Sequence, residues 1–261
     1  MHGLGNDFVI FDGRIEPLVM TSPLARLVAD RRRGIGCDQL IVLEPSTSAD
    51  VRMSIWNADG SAAEACGNAT RCVVALTGAA RIETDGGILS GLSLNGDVEV
   101  VLDEPRFEWT AIPLADAMDT RALPMAWDEY AGPAAVNVGN PHLVFFVEAI
   151  DEARMELLGP RIEHDLAFPQ RINVNVARVA EDGAIELRTF ERGVGLTDAC
   201  GTGACATAVV AIREKRVSSP VTVRMKGGNL TIGWVPGGPI VMRGPSAAVF
   251  SGEIDLAGLG A

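Results

Sequence analysis

Apolar and polar residues alternate along much of the chain, but two stretches contain no charged residue. Residues 51–56 read Val-Arg-Met-Ser-Ile-Trp, an alternation that predicts a strand with one buried face. By contrast, residues 72–80 and 204–212 carry no charge. A helix that is apolar on every side is expected to be buried on every side. The pattern therefore predicts strands around a central buried helix, and it does so twice.

The other predicted elements follow the same order in each half of the chain. The first half is expected to hold a strand at 8–12, a helix opened by Ser22-Pro23 and ended by Gly34, a strand at 40–43, a turn at 57–60 and a hairpin at 92–100 about Asn95-Gly96. The second half is expected to hold strands within 136–147, a helix opened by Pro160, strands at 174–179 and 185–190, and a hairpin at 221–234. Residues 105–113 are expected to link the halves.

Polar and thiol residues recur at a constant separation of 134 residues (200 minus 66). The residues paired at this separation are Asn6 with Asn140, Gln39 with Asn173, Asn57 with Glu191, and Cys66 with Cys200. A repeat of this kind indicates a tandem duplication. We therefore expect two similar domains.

Composition narrows the class of protein. The 261 residues are 48% hydrophobic, which is enough for a sizeable core. A net charge of −12 argues against binding to nucleic acid or to an anionic membrane. No apolar run has the length of a transmembrane helix, and the start MHGLGNDF lacks the apolar region of a signal peptide. Five cysteines without a disulfide framework predict a reducing, cytoplasmic location.

Sequence signals for the common cofactors are missing. The chain has no C-x-x-C pair, no Walker loop and no dinucleotide-binding G-x-G-x-x-G after a strand. Its only lysines are Lys215 and Lys226, and neither has a context that suggests a Schiff base with pyridoxal phosphate. We therefore expect neither a metal nor a cofactor.

Each predicted central helix begins at a cysteine, Cys66 or Cys200. The first N–H groups of a helix have no partner within it, and the helix dipole there favours negative charge. Such a position is expected to lower the pKa of a thiol, and it can also bind a carboxylate. A single cysteine is as often only a small buried residue. Because these two occupy equivalent places in the repeat, we expect both helix starts to meet one small ligand in a cleft between the domains.

Two opposed thiols suit the inversion of a carbon acid. One thiolate removes a proton from one face, and the other thiol donates a proton to the opposite face. The α-hydrogen of an amino acid is far less acidic than a thiol, so N–H donors at the two helix starts must stabilise the carbanion. The sequence therefore points to racemisation of an amino acid without a cofactor.

Several motifs closely resemble those of the diaminopimelate epimerase family, namely GLGNDF (3–8), NADGS (57–61), ACGN (65–68), GNPH (139–142) and ERGVG-x-T-x-ACGTGACA (191–206). The resemblance spans nearly the whole chain. It implies an α+β (mixed α/β) fold of two pseudo-symmetric domains, each a curled, mostly antiparallel sheet around a central helix. The domains would be 1–110, joined by a C-terminal strand in 247–261 near Gly252 to Leu256, and 111–246.

The resemblance also implies an activity. Members of the family interconvert LL- and meso-diaminopimelate without a cofactor, on the route to lysine and peptidoglycan precursors, and they usually form homodimers. In this chain Cys66 and Cys200 would be the acid and base pair. The helix-start residues expected to bind the reacting carboxylate are Gly67, Asn68, Gly201 and Thr202. The other expected substrate contacts are Asn6, Gln39, Asn57, Asn173, Glu191 and Arg192.

Some of these roles have a physical rationale of their own. Arg192 suits a bidentate grip on the distal carboxylate, and Glu191 suits an ammonium group. His142 is expected beside the site, or else as a residue that orders a proline-containing turn. Turn residues are the less favoured alternative for Asn6 and Asn57. The remaining cysteines, Cys37, Cys72 and Cys205, are expected to be core residues.

Two other functions stay open. A racemase of the proline or hydroxyproline type shares the two-thiol logic, but its substrate would leave Glu191 and Arg192 unpaired. A non-catalytic ligand-binding relative would not need two thiols. The chain also departs from the family pattern. Ala69 stands where Gly is usual, Leu196 stands where Glu is usual, and the residues that usually precede the first motif are missing, so we expect an upstream start or a short first strand.

Overall fold

The computed structural model describes residues 1–64, 66–94 and 96–259. They form two compact units, one of Met1–Val100 with Gly244–Ala261 and one of Val101–Arg243. Asn95, in the predicted hairpin, and Ala65, in the ACGN motif, lie outside the described residues. No helix among the described residues is long and apolar enough to cross a membrane. The domain bounds expected from the sequence stay a prediction.

The first unit is a twisted sheet with two helices. Its elements are, in chain order, β1 (His2–Gly3), β2 (Asn6–Asp12), α1 (Ser22–Ala29), β3 (Gln39–Glu44), β4 (Val51–Asn57), β5 (Ala62–Ala63), α2 (Gly67–Thr77), β6 (Arg81–Thr84), β7 (Gly87–Leu94) and β8 (Asp97–Leu102). The strands lie in the order β1-β2-β3-β4-β6-β7-β8, with β5 paired to β4. The β2–β3 and β4–β6 pairs are parallel, whereas β1–β2, β3–β4 and β6–β7 are antiparallel.

The helix α1 starts where the sequence predicts it and ends earlier. Thr21 caps it by accepting the N–H of Leu24, and a proline occupies its first turn. Gly34 was expected to end the helix, but α1 stops at Ala29. The reason is Asp30, whose carboxylate accepts the N–H groups of Arg32 and Arg33 and so folds the chain into a turn.

The helix α2 is the buried centre of the first unit. It begins directly after Cys66, and Gly78 ends it with a left-handed φ of 71°. Its residues 68–74 are all buried, including Arg71. Arg71 donates to the Oδ1 of Asn68 at 2.8 Å and to the carbonyl of Pro245 at 3.3 Å, so the charge is hydrogen-bonded inside the unit.

The second unit has the same plan. Its elements are β9 (Ala126–Trp127), β10 (Tyr130–Ala131), β11 (Ala134–Asn137), β12 (Pro141–Phe146), α3 (Glu152–Glu163), β13 (Asn173–Val179), β14 (Ile185–Glu191), β15 (Gly195–Thr197), α4 (Gly201–Arg213), β16 (Val221–Met225), β17 (Gly228–Trp234) and β18 (Ile240–Pro245), in which the chain returns to the first unit. The sheet order is β11-β12-β13-β14-β16-β17-β18, with β15 paired to β14. Only β12–β13 and β14–β16 are parallel among these pairs.

The sheet of the second unit wraps around α4. This helix contacts β11, β12, β13, β14, β16 and β17. Val174 and Val176 of β13 face the other way, into a core cluster shared with α3. Since successive side chains of a strand point to opposite faces, the intervening Asn175 lies on the α4 face. The curled, mostly antiparallel sheet around a central helix is the fold that the sequence predicted.

The hydrogen-bond register repeats the 134-residue separation. In the first unit Phe8 pairs with Gln39, and in the second His142 pairs with Asn173. Ile55 pairs with Ala63, and Thr189 pairs with Thr197. The helices α2 and α4 start at Gly67 and Gly201, again 134 residues apart. The two units are therefore a structural repeat as well as a sequence repeat.

Two predicted elements are wrong. Pro160 does not open a helix but lies in the last turn of α3, which begins at Glu152 because the Asp151 side chain caps it through the N–H of Arg154. The adjacent Gly159 packs so closely on Phe190 that a Cβ there would lie 2.5 Å from the ring.

No strand forms near Gly252 to Leu256 either. Instead, Ala247 exchanges two backbone hydrogen bonds of 2.9 Å with His2. A short 3-10 helix, Leu256–Gly258, follows, and Leu256 and Leu259 pack on the core beside α1 and β3. Apolar packing rather than a sheet ladder therefore holds the C-terminal segment on the first unit.

Candidate active site

Cys66 is the N-cap residue of α2. Its backbone is extended, and its Sγ accepts the N–H of Ala69 at 3.5 Å. Its carbonyl accepts the N–H and the hydroxyl of Thr70. The side chain is half-buried. The sulfur therefore lies at the positive end of a buried helix, where the N–H groups of Gly67 and Asn68 have no partner within the helix.

Cys200 has the same place at the start of α4. Its Sγ accepts the N–H of Gly203 at 3.3 Å and lies 3.6 Å from the hydroxyl of Thr202. It differs from Cys66 in burial, since only 4% of Cys200 is exposed. The first turn of α4 also packs closely against the sheet, because a Cβ on Gly203 would lie 2.6 Å from Asn175 Oδ1. Only glycine fits at that position without displacing the polar side chains beneath it.

Burial shifts the pKa of Cys200 upward, in the direction opposite to the one expected. Desolvation raises the pKa of this thiol well above its usual value, and the nearby Glu191 carboxylate raises the pKa further. The hydrogen bonds from Thr202 and Gly203 favour the thiolate, but their effect on the pKa is smaller. The expectation that the helix start lowers this pKa is therefore wrong in the ligand-free unit, where Cys200 is a protonated thiol at neutral pH.

The other three cysteines are core residues, as predicted. Cys37, Cys72 and Cys205 are each at most 2% exposed. Burial raises the pKa of Cys37 and of Cys72 to about 11. None of the five cysteines forms a disulfide.

The predicted amide residues of the first unit form two pairs. Asn68 Nδ2 donates to Asn6 Oδ1 at 3.3 Å, and Asn6 Nδ2 donates to Asp38 at 3.1 Å. Gln39 Nε2 donates to Asn57 Oδ1 at 2.9 Å. The other amide atom of Gln39, Oε1, is buried and accepts no hydrogen bond from the described residues. Such an acceptor is available to a ligand N–H.

In the second unit, Asn173 holds the turn that carries Arg192. Its Oδ1 accepts the backbone N–H of Arg192 at 3.0 Å, while its Nδ2 donates to the carbonyl of Pro141. The guanidinium of Arg192 donates to the carbonyl of Gln170 at 3.0 Å and is otherwise exposed. Arg192 is therefore anchored and still accessible to an anion.

Glu191 ends β14 and lies close to Cys200. Its carboxylate accepts the hydroxyl of Thr197 at 2.6 Å. Leu196, one of the two departures near the motifs, pairs with Phe190 across β14 and β15 and packs on the core cluster. The other departure, Ala69, is fully buried in α2.

His142 belongs to a buried polar chain. Asn175 Nδ2 donates to its Nδ1 at 3.1 Å, so its Nε2–H donates to Asn140 Oδ1 at 2.8 Å. Thr189 in turn donates to Asn175. Burial, followed by the positive charge of Arg192, lowers the pKa of His142 to about 3. His142 is therefore a neutral residue that orients Asn140, which agrees with the prediction of a turn-ordering histidine.

Sequence reasoning paired Asn140 with Asn6 in the repeat but gave Asn140 no role at the site, and it missed Asn175 and Glu163. Asn175 and Glu163 carried no signal in the repeat, since the residues 134 positions earlier are Ile41 and Ala29. Among the described residues, no group of three or more His, Cys, Asp or Glu side chains could hold a metal ion.

Comparison with known proteins links this arrangement to one family. A family model described as diaminopimelate epimerase matches residues 1–106 and 134–249. A diaminopimelate epimerase of Rhizorhabdus wittichii is 64% identical, over 100% of this chain and 96% of that relative. One of Sphingopyxis alaskensis is 60% identical, over 100% and 97%.

Solved structures share the fold at much lower identity. A phenazine biosynthesis protein of the PhzF family from Bacillus anthracis has a TM-score of 0.63 at 14% identity, covering 94% of this chain and 92% of that one. A hydroxyproline epimerase from Agrobacterium vitis, with bound trans-4-hydroxy-L-proline, has a TM-score of 0.62 at 17% identity, covering 94% and 87%. At such identities the likeness concerns the fold alone.

Proposed function

The chain belongs to the diaminopimelate epimerase family, and we propose that it is an isomerase that interconverts LL- and meso-diaminopimelate in lysine and peptidoglycan precursor biosynthesis. The observation that carries the mechanism is the repeated thiol. Cys66 and Cys200 cap two equivalent buried helices, and each sulfur accepts an N–H from the first turn. Equivalent thiols suit a reaction that must exchange protons on two faces of one carbon.

In the proposed reaction the two thiols exchange the roles of base and acid when the direction of the reaction is reversed. One thiolate forms an S–H bond with the α-proton as the C–H bond breaks. The other thiol donates its proton to the opposite face of the carbanion, which forms the new C–H bond and leaves a thiolate. The net result is inversion with no change in oxidation state, so no cofactor is needed.

The substrate ammonium would change the state of Cys200. Glu191 raises the pKa of this thiol by its negative charge. An ammonium paired with Glu191 would offset that charge, so substrate binding should lower the pKa of Cys200. The thiol would then ionise when the α-proton is in place, rather than in the ligand-free enzyme.

Other groups suit the two carboxylates of the substrate. The free N–H groups of Gly67, Asn68, Gly201 and Thr202 suit the reacting carboxylate, and they stabilise the carbanion as its charge spreads onto that carboxylate. Arg192, exposed and anchored through its backbone, suits the distal carboxylate. The buried Oε1 of Gln39 is available to a substrate N–H. Asn6, Asn57 and Asn173 are further proposed contacts.

Two alternatives are less well supported. A proline or hydroxyproline racemase shares the fold, but the solved hydroxyproline epimerase is only 17% identical to this chain. Its kind of substrate has no distal carboxylate for Arg192. A non-catalytic binding relative gives no reason for two thiols at equivalent helix starts.

Isotope exchange tests the proposal against both alternatives. The enzyme is incubated in D₂O with LL-diaminopimelate and, separately, with L-proline. We expect deuterium at an α-carbon of diaminopimelate and none in proline. Deuterium in proline would favour the racemase, and its absence from both would favour a binding protein. Enzyme dialysed against a chelator should keep full activity, and loss that a metal or pyridoxal phosphate reverses would refute the two-thiol mechanism.

Thiol variants test the assignment of the pair. Cys66→Ala and Cys200→Ala should each abolish epimerisation. Each variant should still exchange the α-proton of whichever stereoisomer meets the remaining thiol. Cys37→Ala is the matched control, because it removes a buried thiol that is not part of the pair. Full epimerisation by either single variant would exclude the two-thiol assignment.

We also propose that the enzyme is a homodimer in the cytoplasm. The homodimer rests on the family resemblance. The location is supported by five cysteines that form no disulfide, as is usual in a reducing compartment.

A further inference from the structure

The turn that carries Arg192 has a defined type. Its four residues run from Glu191 to Val194, and Val194 N–H donates to the Glu191 carbonyl at 3.0 Å. Gly193 has a φ of 76°, whereas Arg192 does not have a positive φ. This combination is a type II turn. Compared with type I, its central peptide is rotated, so the N–H of Gly193 points to the opposite face.

Glu163 faces this central peptide. It is the last residue of α3, and its Oε1 accepts the N–H of Gly193 at 2.9 Å. Its side chain is only 5% exposed, which is unusual for a carboxylate. The guanidinium of Arg171, at 3.7 Å, and the imidazole of His164, at 3.8 Å, are farther away. The backbone N–H is therefore the closest partner of a nearly buried charge.

The first unit has a turn at the equivalent position, but that turn has a different type and no such carboxylate. There Gly60 N–H donates to the Asn57 carbonyl at 2.9 Å, and neither Ala58 nor Asp59 has a positive φ. The residue equivalent to Glu163 is Ala29 (163 minus 134), and each is the last residue of its helix. In the second unit, therefore, a type II turn occurs together with a carboxylate. In the first unit the equivalent turn is not type II, and an alanine takes the place of the glutamate.

We propose that Glu163 is a positioning residue whose carboxylate selects the type II turn and thereby sets where Arg192 meets the substrate. Rotation of the peptide to type I would turn the Arg192 carbonyl toward the carboxylate and repel it. Without the carboxylate nothing opposes that rotation. The inference rests on the proposed function, in which Arg192 binds the distal carboxylate of diaminopimelate.

Amide exchange tests the contact independently of activity. Hydrogen exchange at the Gly193 N–H is followed by NMR in the full chain, in Glu163→Gln, in Glu163→Leu and in Glu156→Leu. Glu156 is an exposed residue of the same helix and serves as the control. We expect about ten-fold faster exchange in Glu163→Leu, little change in Glu163→Gln, which keeps an acceptor oxygen, and none in the control. Unchanged exchange in Glu163→Leu would overturn the proposal.

Kinetics then test the effect on Arg192. Glu163→Leu should raise KM for diaminopimelate about ten-fold while kcat changes by less than about three-fold, and Glu163→Gln should restore KM. In an Arg192→Ala background the same change should alter KM by less than about two-fold, because the group it positions is gone. If Glu163→Leu changes KM as much in the Arg192→Ala background as in the parent protein, the positioning role is refuted. If Arg192→Ala alone leaves kcat/KM unchanged, the proposed role of Arg192 fails, while the exchange result still decides on Glu163.

A second variant keeps the proposal testable if Glu163→Leu does not fold. Gly193→Ala retains the carboxylate and the N–H but disfavours the positive φ that the type II turn requires. Its side chain lies in open space, so no clash is introduced. It should raise KM in the same manner, and the strain of an alanine at positive φ should lower the melting temperature only modestly. An unchanged KM would show that the turn type does not matter to Arg192.

Discussion

His142 should make the stability of the second unit fall in mild acid. Burial of the imidazole, together with the charge of Arg192, lowers the pKa of His142 from 6.5 to about 3, although its hydrogen bond with Asn175 acts in the opposite direction. As the pH falls, the unfolded chain therefore takes up this proton before the folded protein does. The stability is fully present above about pH 6.5 and is lost progressively down to about pH 3.

The size of the effect follows from proton linkage. Between pH 7.5 and pH 5, a histidine that stays neutral only in the folded state costs about 2 kcal/mol of unfolding free energy. The ion pairs of surface carboxylates do not interfere in this pH range. Asp7 and Glu129 have pKa values lowered to about 2, so their stabilisation is lost only as the pH falls below about 4.

The assay is denaturant unfolding at pH 5, 6, 7 and 7.5, followed by tryptophan fluorescence. Trp109, Trp127 and Trp234 lie in the second unit, and replacing Trp56 by Phe makes the signal specific to it. His142→Gln keeps a donor toward Asn140 but cannot titrate. It should therefore remove most of the loss of unfolding free energy between pH 7.5 and pH 5. His164→Gln, at an exposed position, is the control and should keep the loss. An equal loss in His142→Gln and the parent protein would refute the reasoning.

Three further predictions follow from the site. Gly203→Ala should lower the melting temperature markedly, because its Cβ would lie 2.6 Å from a buried side-chain oxygen, whereas Gly233→Ala, with its nearest neighbour at 3.8 Å, should be tolerated. Glu191→Gln should lower the pKa of the Cys200 thiol, and ¹³Cβ NMR of labelled cysteine would show an unchanged pKa if burial alone set it. Arg192→Ala should cost roughly 2–5 kcal/mol in transition-state binding, and kcat/KM for diaminopimelate within a few-fold of the parent value would contradict its assignment.

The repeat in the sequence predicted the framework of the fold because it records backbone equivalence. Residues at a constant separation occupy the same register positions in both units, as Gln39 and Asn173 do. The two uncharged stretches predicted the buried helices because a charge cannot easily lie inside a wrapped sheet. The exception is Arg71, which donates hydrogen bonds to Asn68 and to the carbonyl of Pro245 that no local pattern reveals.

Element ends were harder to predict, because single side-chain contacts decide them. Asp151 rather than Pro160 starts α3, and the Asp30 turn ends α1 before Gly34. The pKa of Cys200 was mispredicted for a related reason. The sequence shows that a cysteine precedes a helix, but not that the sheet closes over the sulfur or that Glu191 lies beside it.

The differences between the units suggest how a duplicated backbone could serve a substrate with two unlike ends. The proton transfer requires equivalent thiols, and the repeat places them at the starts of two helices. Recognition of an ammonium and of the distal carboxylate requires charges in one unit only. At equivalent positions the first unit carries Asn57 and Ala29 where the second carries Glu191 and Glu163. The second unit can therefore combine the acceptor for an ammonium, the turn that presents a guanidinium and the carboxylate that fixes that turn. On this view, exchanging Glu163 for the alanine of the other repeat should weaken distal recognition while both thiols remain able to exchange a proton.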